Sequence, residues 1–221
     1  MKNKLKRLSY FCLILGLLAQ SGCNESHQNL TSDKVDSSTI ESRATYQLTF
    51  KAVMDDTVAT GVHLTKFVGV THKNPGVFWL PGGFSSEGLR LIAERGNQNT
   101  AISELGDAVI SSDAEFVIIG QAAIWHPKNL SNSSQYSHTF QISKNHPYLS
   151  LASMIGPSPD WFVGIHDELL LQDDQFIPSA NYILYAYTAG TKNKNPHIKI
   201  ARITDPAISG IVYGTLTLTK L

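Results

Sequence analysis

From residue 44 onward the chain alternates. Tyr46, Leu48, Phe50 and Ala52 fall on one side of an extended backbone and Gln47, Thr49 and Lys51 on the other, which is the period-2 pattern of a strand with one buried face. Apolar and β-branched runs bounded by Gly, Pro and Asn predict further strands over 77–80, 115–119, 138–142, 148–155, 161–165, 182–187, 198–203 and 211–219. The period lengthens to that of a helix in two places. Leu89, Ile92 and Ala93 share a face within 86–94, with Gly96 as the stop, and a second helix is expected over 100–105, ending at Gly106. Strands therefore dominate and turn residues separate them. The predicted fold is all-β, an antiparallel β-sandwich with one or two short helices in its connections.

The first residues follow another pattern. Lys2, Lys4, Lys6 and Arg7 precede an apolar run over 8–19 that is short for a bilayer span and suited to a signal-peptide core. Ala19-Gln20-Ser21-Gly22-Cys23 resembles the lipobox at which bacterial lipoproteins are cut and acylated on the new N-terminal cysteine. Gln20 stands where that pattern carries an apolar residue, so simple secretion after Gly22 is the alternative. Residues 1–22 are thus expected to be a lipoprotein-type signal peptide, cleaved before Cys23. Residues 23–43, rich in Ser, Asn, Asp, Glu and Thr without apolar periodicity, are expected to be a disordered tether, and 44–221 the folded domain. The expected location is the outer membrane or cell surface, with a periplasmic or secreted protein as the alternative.

Cysteine usage agrees with that division. Of the two cysteines, Cys12 leaves with the signal core, so the exported domain has no internal disulfide and must stand on its apolar core. The formal net charge of +0 offers no basic excess for phosphates, which excludes nucleic acid as a partner. Membrane contact is expected only through a lipid on Cys23.

Candidate chemistry concentrates between Ser153 and Gly164. Pro157 and Pro159 stiffen a loop between two apolar runs, and Asp160 stands at its exit, backed by Trp161, Phe162, Val163 and Ile165. Elsewhere there is no Gly-x-Ser-x-Gly elbow, no His-Glu-x-x-His and no phosphate-cradling glycine loop. His63, His72, His126, His138, His146, His166 and His197 are scattered, and Asp55-Asp56 and Asp173-Asp174 are neighbours whose side chains diverge on extended backbone. Trp79, Trp125 and Trp161 are expected in the core, with Trp125 the one to watch for exposure. No catalytic residue or organic cofactor is expected.

Several blocks, in order, resemble the spondin N-terminal domain family. They are the Val62–His72 segment with its Val68-Gly69-Val70-Thr71-His72 ending, Phe78-Trp79-Leu80-Pro81-Gly82-Gly83, the Ser86–Gly96 helix block, Ser153–Gly164 and Ala189-Gly190-Thr191. The resemblance implies a sandwich similar to calcium-dependent membrane-binding sandwich domains, here in a bacterial exported member. It further implies a noncatalytic adhesion or ligand-binding function towards an extracellular protein or a glycan. The runner-up is a carbohydrate-active or hydrolytic protein on the same scaffold. In the family a calcium ion is held by the aspartate matching Asp160 and by two aspartates matching Thr188 and Lys192. Asp160 is therefore the remaining metal candidate, with Thr188 in place of a carboxylate and Lys192 expected to pair with Asp160 instead of an ion. Calcium binding is expected to be weak. Asp167, Glu168, Asp173, Asp174 and Glu87 are the other oxygens that the sequence places near these motifs.

Overall fold

The strand that opens the domain places Ala44, Tyr46, Leu48, Phe50 and Ala52 inward and their neighbours outward, as its alternation predicts. The computed structural model describes residues 41–52, 62–124, 135–191, 198–204 and 210–221, all within the unit Ile40–Leu221. Its strands are β1 (Arg43–Ala52), β2 (His63–Leu64), β3 (Val68–His72), β4 (Ala114–Ile119), β5 (Gln135–Ser143), β6 (Tyr148–Gly156), β7 (Trp161–Leu169), β8 (Leu171–Gln172), β9 (Gln175–Phe176), β10 (Ser179–Leu184), β11 (Ala186–Thr188), β12 (Ala201–Arg202) and β13 (Gly214–Lys220). Helices α1 (Glu87–Arg95) and α2 (Asn99–Ile110) lie between β3 and β4.

Two sheets make the sandwich. The smaller has the order β10-β13-β1-β5, the larger β12-β11-β7-β6-β3-β4 with β2 added to β6, and the pairings within both are antiparallel. Leu48, Phe50 and Leu216 of the small sheet pack with Leu151, Ile155 and Val163 of the large one to fill the space between them. The large sheet is buried on its other face too, where Val68, Val70 and Phe162 meet Leu89, Ile92 and Ala93 of α1 and Ala101 and Leu105 of α2. This explains why every residue of β3, and every residue of β6 after Tyr148, is buried rather than every second one. α1 follows its sequence signals closely. The Ser86 hydroxyl accepts the Leu89 N–H at its start, and Gly96 closes it at φ 65°.

Four elements depart from the sequence reading. Helix α2 runs through Gly106 to Ile110, because Ala101 and Leu105 are packed under it and the left-handed residue that ends it is Ser112, at φ 65°. Residues 182–187 are not one strand. The chain leaves the small sheet after Leu184 and joins the large one at Ala186, with the Tyr185 ring under the Arg202 guanidinium at 3.6 Å. Of 198–203 only Ala201–Arg202 is strand. Ile200 instead exchanges backbone hydrogen bonds with two residues of the 81–84 turn, donating to Gly83 and accepting from Gly82, both at 2.8 Å. Residues 77–80 form no strand either. Trp79 turns inward, 2% exposed, donates from its indole N–H to the Leu151 carbonyl at 3.2 Å and meets Phe162 edge-on at 4.8 Å.

The indole fits because residue 164 is glycine. A Cβ there would lie 2.1 Å from the Leu151 carbonyl oxygen and 2.9 Å from the Trp79 ring. Replacing Trp79 by Ala should cost about 3–5 kcal/mol of stability in urea unfolding. Trp79→Phe should recover part of that loss while still lacking the donor to Leu151.

Candidate functional site

The link between β6 and β7 is short, and its last residue points inward. Pro157 and Pro159 are exposed, whereas Asp160 is 1% exposed. Asp160 Oδ2 accepts two hydrogen bonds, from the Thr188 hydroxyl at 2.8 Å and from the Thr191 backbone N–H at 2.8 Å. The Asp160 carbonyl accepts the Ala189 N–H at 2.9 Å. Thr188 Oγ1 in turn accepts the Gly190 N–H at 3.0 Å, and Ser158 Oγ accepts the Trp161 N–H at 3.0 Å. Strand pairing delivers the partners, since Thr188 of β11 lies opposite Trp161 of β7, one residue from the carboxylate. The Ser85 hydroxyl donates to the Ala189 carbonyl and ties the segment before α1 to the same turn. The result is a clasp in which one buried carboxylate joins two loops.

Calcium takes about six to eight oxygens, with carboxylates supplying most of the affinity. Among the described residues of these two loops Asp160 is the one carboxylate, and its Oδ2 is already engaged by a hydroxyl and an amide. The donors that the described residues supply here do not make up the set that ion takes. Lys192, expected to pair with Asp160, lies outside the described residues, as do Cys23, Asp55, Asp56, Trp125, His126 and His197.

The other acids sit elsewhere. Glu87 pairs with Arg90 on α1, and Asp173 and Asp174 form the left-handed turn of the β8–β9 hairpin, where Asp174 receives the Lys144 ammonium at 2.8 Å. Asp167 and Glu168 are at the far end of β7, roughly 23 Å along the strand from Asp160. Among the described residues no three His, Cys, Asp or Glu side chains converge as a metal site.

At that far end lies a buried polar pair in which His72 closes the Val62–His72 block, while its partner Ser150 belongs to no motif. His72 Nδ1 is 2.7 Å from the Asn74 carbonyl, which can only accept, so the proton sits on Nδ1 and Nε2 accepts from the Ser150 hydroxyl at 2.9 Å. Ser150 Oγ also accepts the Asp167 N–H at 2.8 Å. The spacing is that of a nucleophile and its base, but both side chains are 0% exposed and the Tyr148 ring stacks on the imidazole at 5.7 Å. A substrate carbonyl has no way to reach Ser150. The arrangement holds the irregular step where Asp167, at φ 52°, interrupts the β6–β7 ladder.

Two outcomes follow. Thr188→Val, which keeps the shape and removes the donor to a buried carboxylate, should cost about 1–3 kcal/mol in chemical unfolding, and Thr188→Ser should keep most of it. Burial holds the His72 imidazole below its ordinary value, against the opposing pull of the Asn74 carbonyl and the Asp167 charge. Below about pH 6.5 the unfolded chain therefore takes up a proton that the folded one refuses, and stability falls with falling pH. His138, also lowered by burial, contributes with the same sign. Urea midpoints against pH should show that slope, reduced in His72→Gln.

Comparison with known proteins gives the frame for this geometry. The Spondin_N family model matches residues 39–207. Human Spondin-2 is 32% identical over 130 residues, 58% of this chain and 37% of that protein. Chicken (Gallus gallus) Spondin-1 is 29% identical over 133 residues, 58% of this chain and 16% of that protein. Mouse Spondin-1 is 28% identical over 158 residues, 67% of this chain and 19% of that protein. The chain thus spans well under two thirds of the length of these relatives. Because the family match runs from β1 through β12 and takes in both helices and the Asp160 clasp, the chain belongs to the Spondin_N family.

Proposed function

We propose that this chain is a noncatalytic extracellular binding module of a bacterial cell, lipid-anchored through Cys23 and joined to that anchor by the polar segment that follows. The observation that carries the reading is the Asp160 clasp. At the family's most recognisable loop the carboxylate is turned inward and engaged by Thr188 and Thr191, so it shapes a surface and does no chemistry. The sealed Ser150–His72 pair supports the same view.

The strand order puts the start of the domain and its most recognisable loop at different ends. Arg43, where the domain begins, pairs with Ser143 beside the turn into β6, whereas the Pro157–Asp160 loop lies at the opposite end of β6. Among the described residues no helix is long and apolar enough to cross a membrane, and an anchor at Cys23 needs none. The partner is an extracellular protein or glycan, and calcium is not required to form the module.

Palmitate labelling with membrane fractionation tests the anchor. Wild type should label and sediment with membranes, and Cys23→Ser should do neither. A calorimetric calcium titration tests the clasp. No micromolar binding heat is expected and melting should be indifferent to chelator, while a calcium signal that Asp160→Asn abolishes would overturn the metal-free reading.

A further inference from the structure

The outer face of the small sheet has an unusual chemistry for a solvent-facing surface. With Tyr46, Leu48 and Phe50 inward, strand register aligns the outward side chains of all four strands in rows. One row is Asn181, Thr217, Thr49 and Ser137, and here Thr217 donates to Asn181 Oδ1 at 2.7 Å while Thr49 Oγ1 lies 3.4 Å from Ser137 Oγ. The next is Ser179, Thr219, Gln47 and Thr139. The row on the other side adds Thr215 and Gln135 with Ile183 and Lys51. Across these three rows Lys51 is the one ionisable side chain, there is no acid, and Ile183 at the corner is the one large apolar group. At the β5 edge the face runs into an open groove of about 450 Å³ lined by Gln47, Tyr136, Ser137, His138 and Thr139, with Gln121 and Ala122 opposite. The Tyr136 hydroxyl accepts the Gln121 N–H there at 3.1 Å, and burial favours the neutral form of His138.

We propose that this face and its groove bind a neutral polysaccharide. Hydroxyl and amide groups donate and accept equally, so a regular array of them matches the many hydroxyls of an uncharged sugar chain in several orientations. With one charge among the described rows, the face selects against the other partners. Nucleic acids and anionic polysaccharides call for clustered cations, of which the face has one. A bilayer calls for apolar side chains that insert, and a protein interface for aromatic, Met and Arg anchors at its centre. Strands about 4.8 Å apart repeat the array at fixed intervals, so a long polymer engages many weak sites at once. The proposal deepens the reading of the domain as a binding module and rests on it in one respect, that the ligand is held and not transformed.

The test is retention of the full chain on immobilised cellulose, chitin, mannan and dextran, with alginate and heparin as anionic controls, at low and high salt. Retention on at least one neutral polysaccharide, insensitive to salt, is expected. Thr49→Glu combined with Thr217→Glu, and separately Thr139→Glu at the groove, should weaken it at least about tenfold. Unchanged circular dichroism and melting in either variant would tie that loss to the surface. Retention on the anionic polymers alone, on none of the panel, or undiminished in both folded variants would overturn the proposal and leave the binding-module reading standing. Shortening of the bound chains would instead overturn the noncatalytic reading and leave the face in place, provided the variants still lose retention.

Discussion

The indole of Trp79 lies over the middle of the large sheet, where Gly164 leaves it room, and its N–H is taken by the Leu151 carbonyl. Much of the architecture depends on that fit. It draws the segment between β3 and α1 across the sheet, and α1 follows with Leu89, Ile92 and Ala93 against Phe162 and Met154. A sheet that would otherwise face water on one side is thereby buried on both. The same segment carries Gly82 and Gly83 to Ile200 and Ser85 to Ala189, so the wedge also positions the turn that receives the Asp160 carboxylate.

β7 then joins two polar sites of different character. At its start Asp160 spends its charge on a hydroxyl and an amide of the neighbouring loop, and at its far end Ser150 and His72 hold the left-handed Asp167 in an irregular ladder. Each buries a polar group only because its partners are supplied by paired strands, which is the condition under which such burial is tolerated. Neither leaves a reactive group facing solvent. The surface carries an end with two exposed prolines and a broad sheet face with one charged side chain, Lys51, built from residues that the core does not use.

Some of this was legible in the chain and some was not, for reasons that particular residues show. The alternation of β1, the Ser86 and Gly96 caps of α1, and the strand after Asp160 are local signals, and the structure follows them. Gly106 misled because helix α2 is held by packing under Ala101 and Leu105, which a local glycine penalty of about 1 kcal/mol does not outweigh. Residues 77–80 have the composition of a strand, but the Trp79 side chain gains more by filling the core than its backbone would by pairing. Thr191 stands in the Ala189-Gly190-Thr191 block, but its role was not legible, since it contributes a backbone N–H that every residue but proline carries.

The sequence by itself determined the β-rich fold and the family to which the chain belongs, because hydrophobic period, turn residues and motif order are written along one dimension. Only the tertiary structure decided what Asp160 does, how Ser150 and His72 are engaged, and that the outward Thr, Ser, Gln and Asn residues of four separate strands form one surface. Those are facts of register and burial, set by which strands lie side by side.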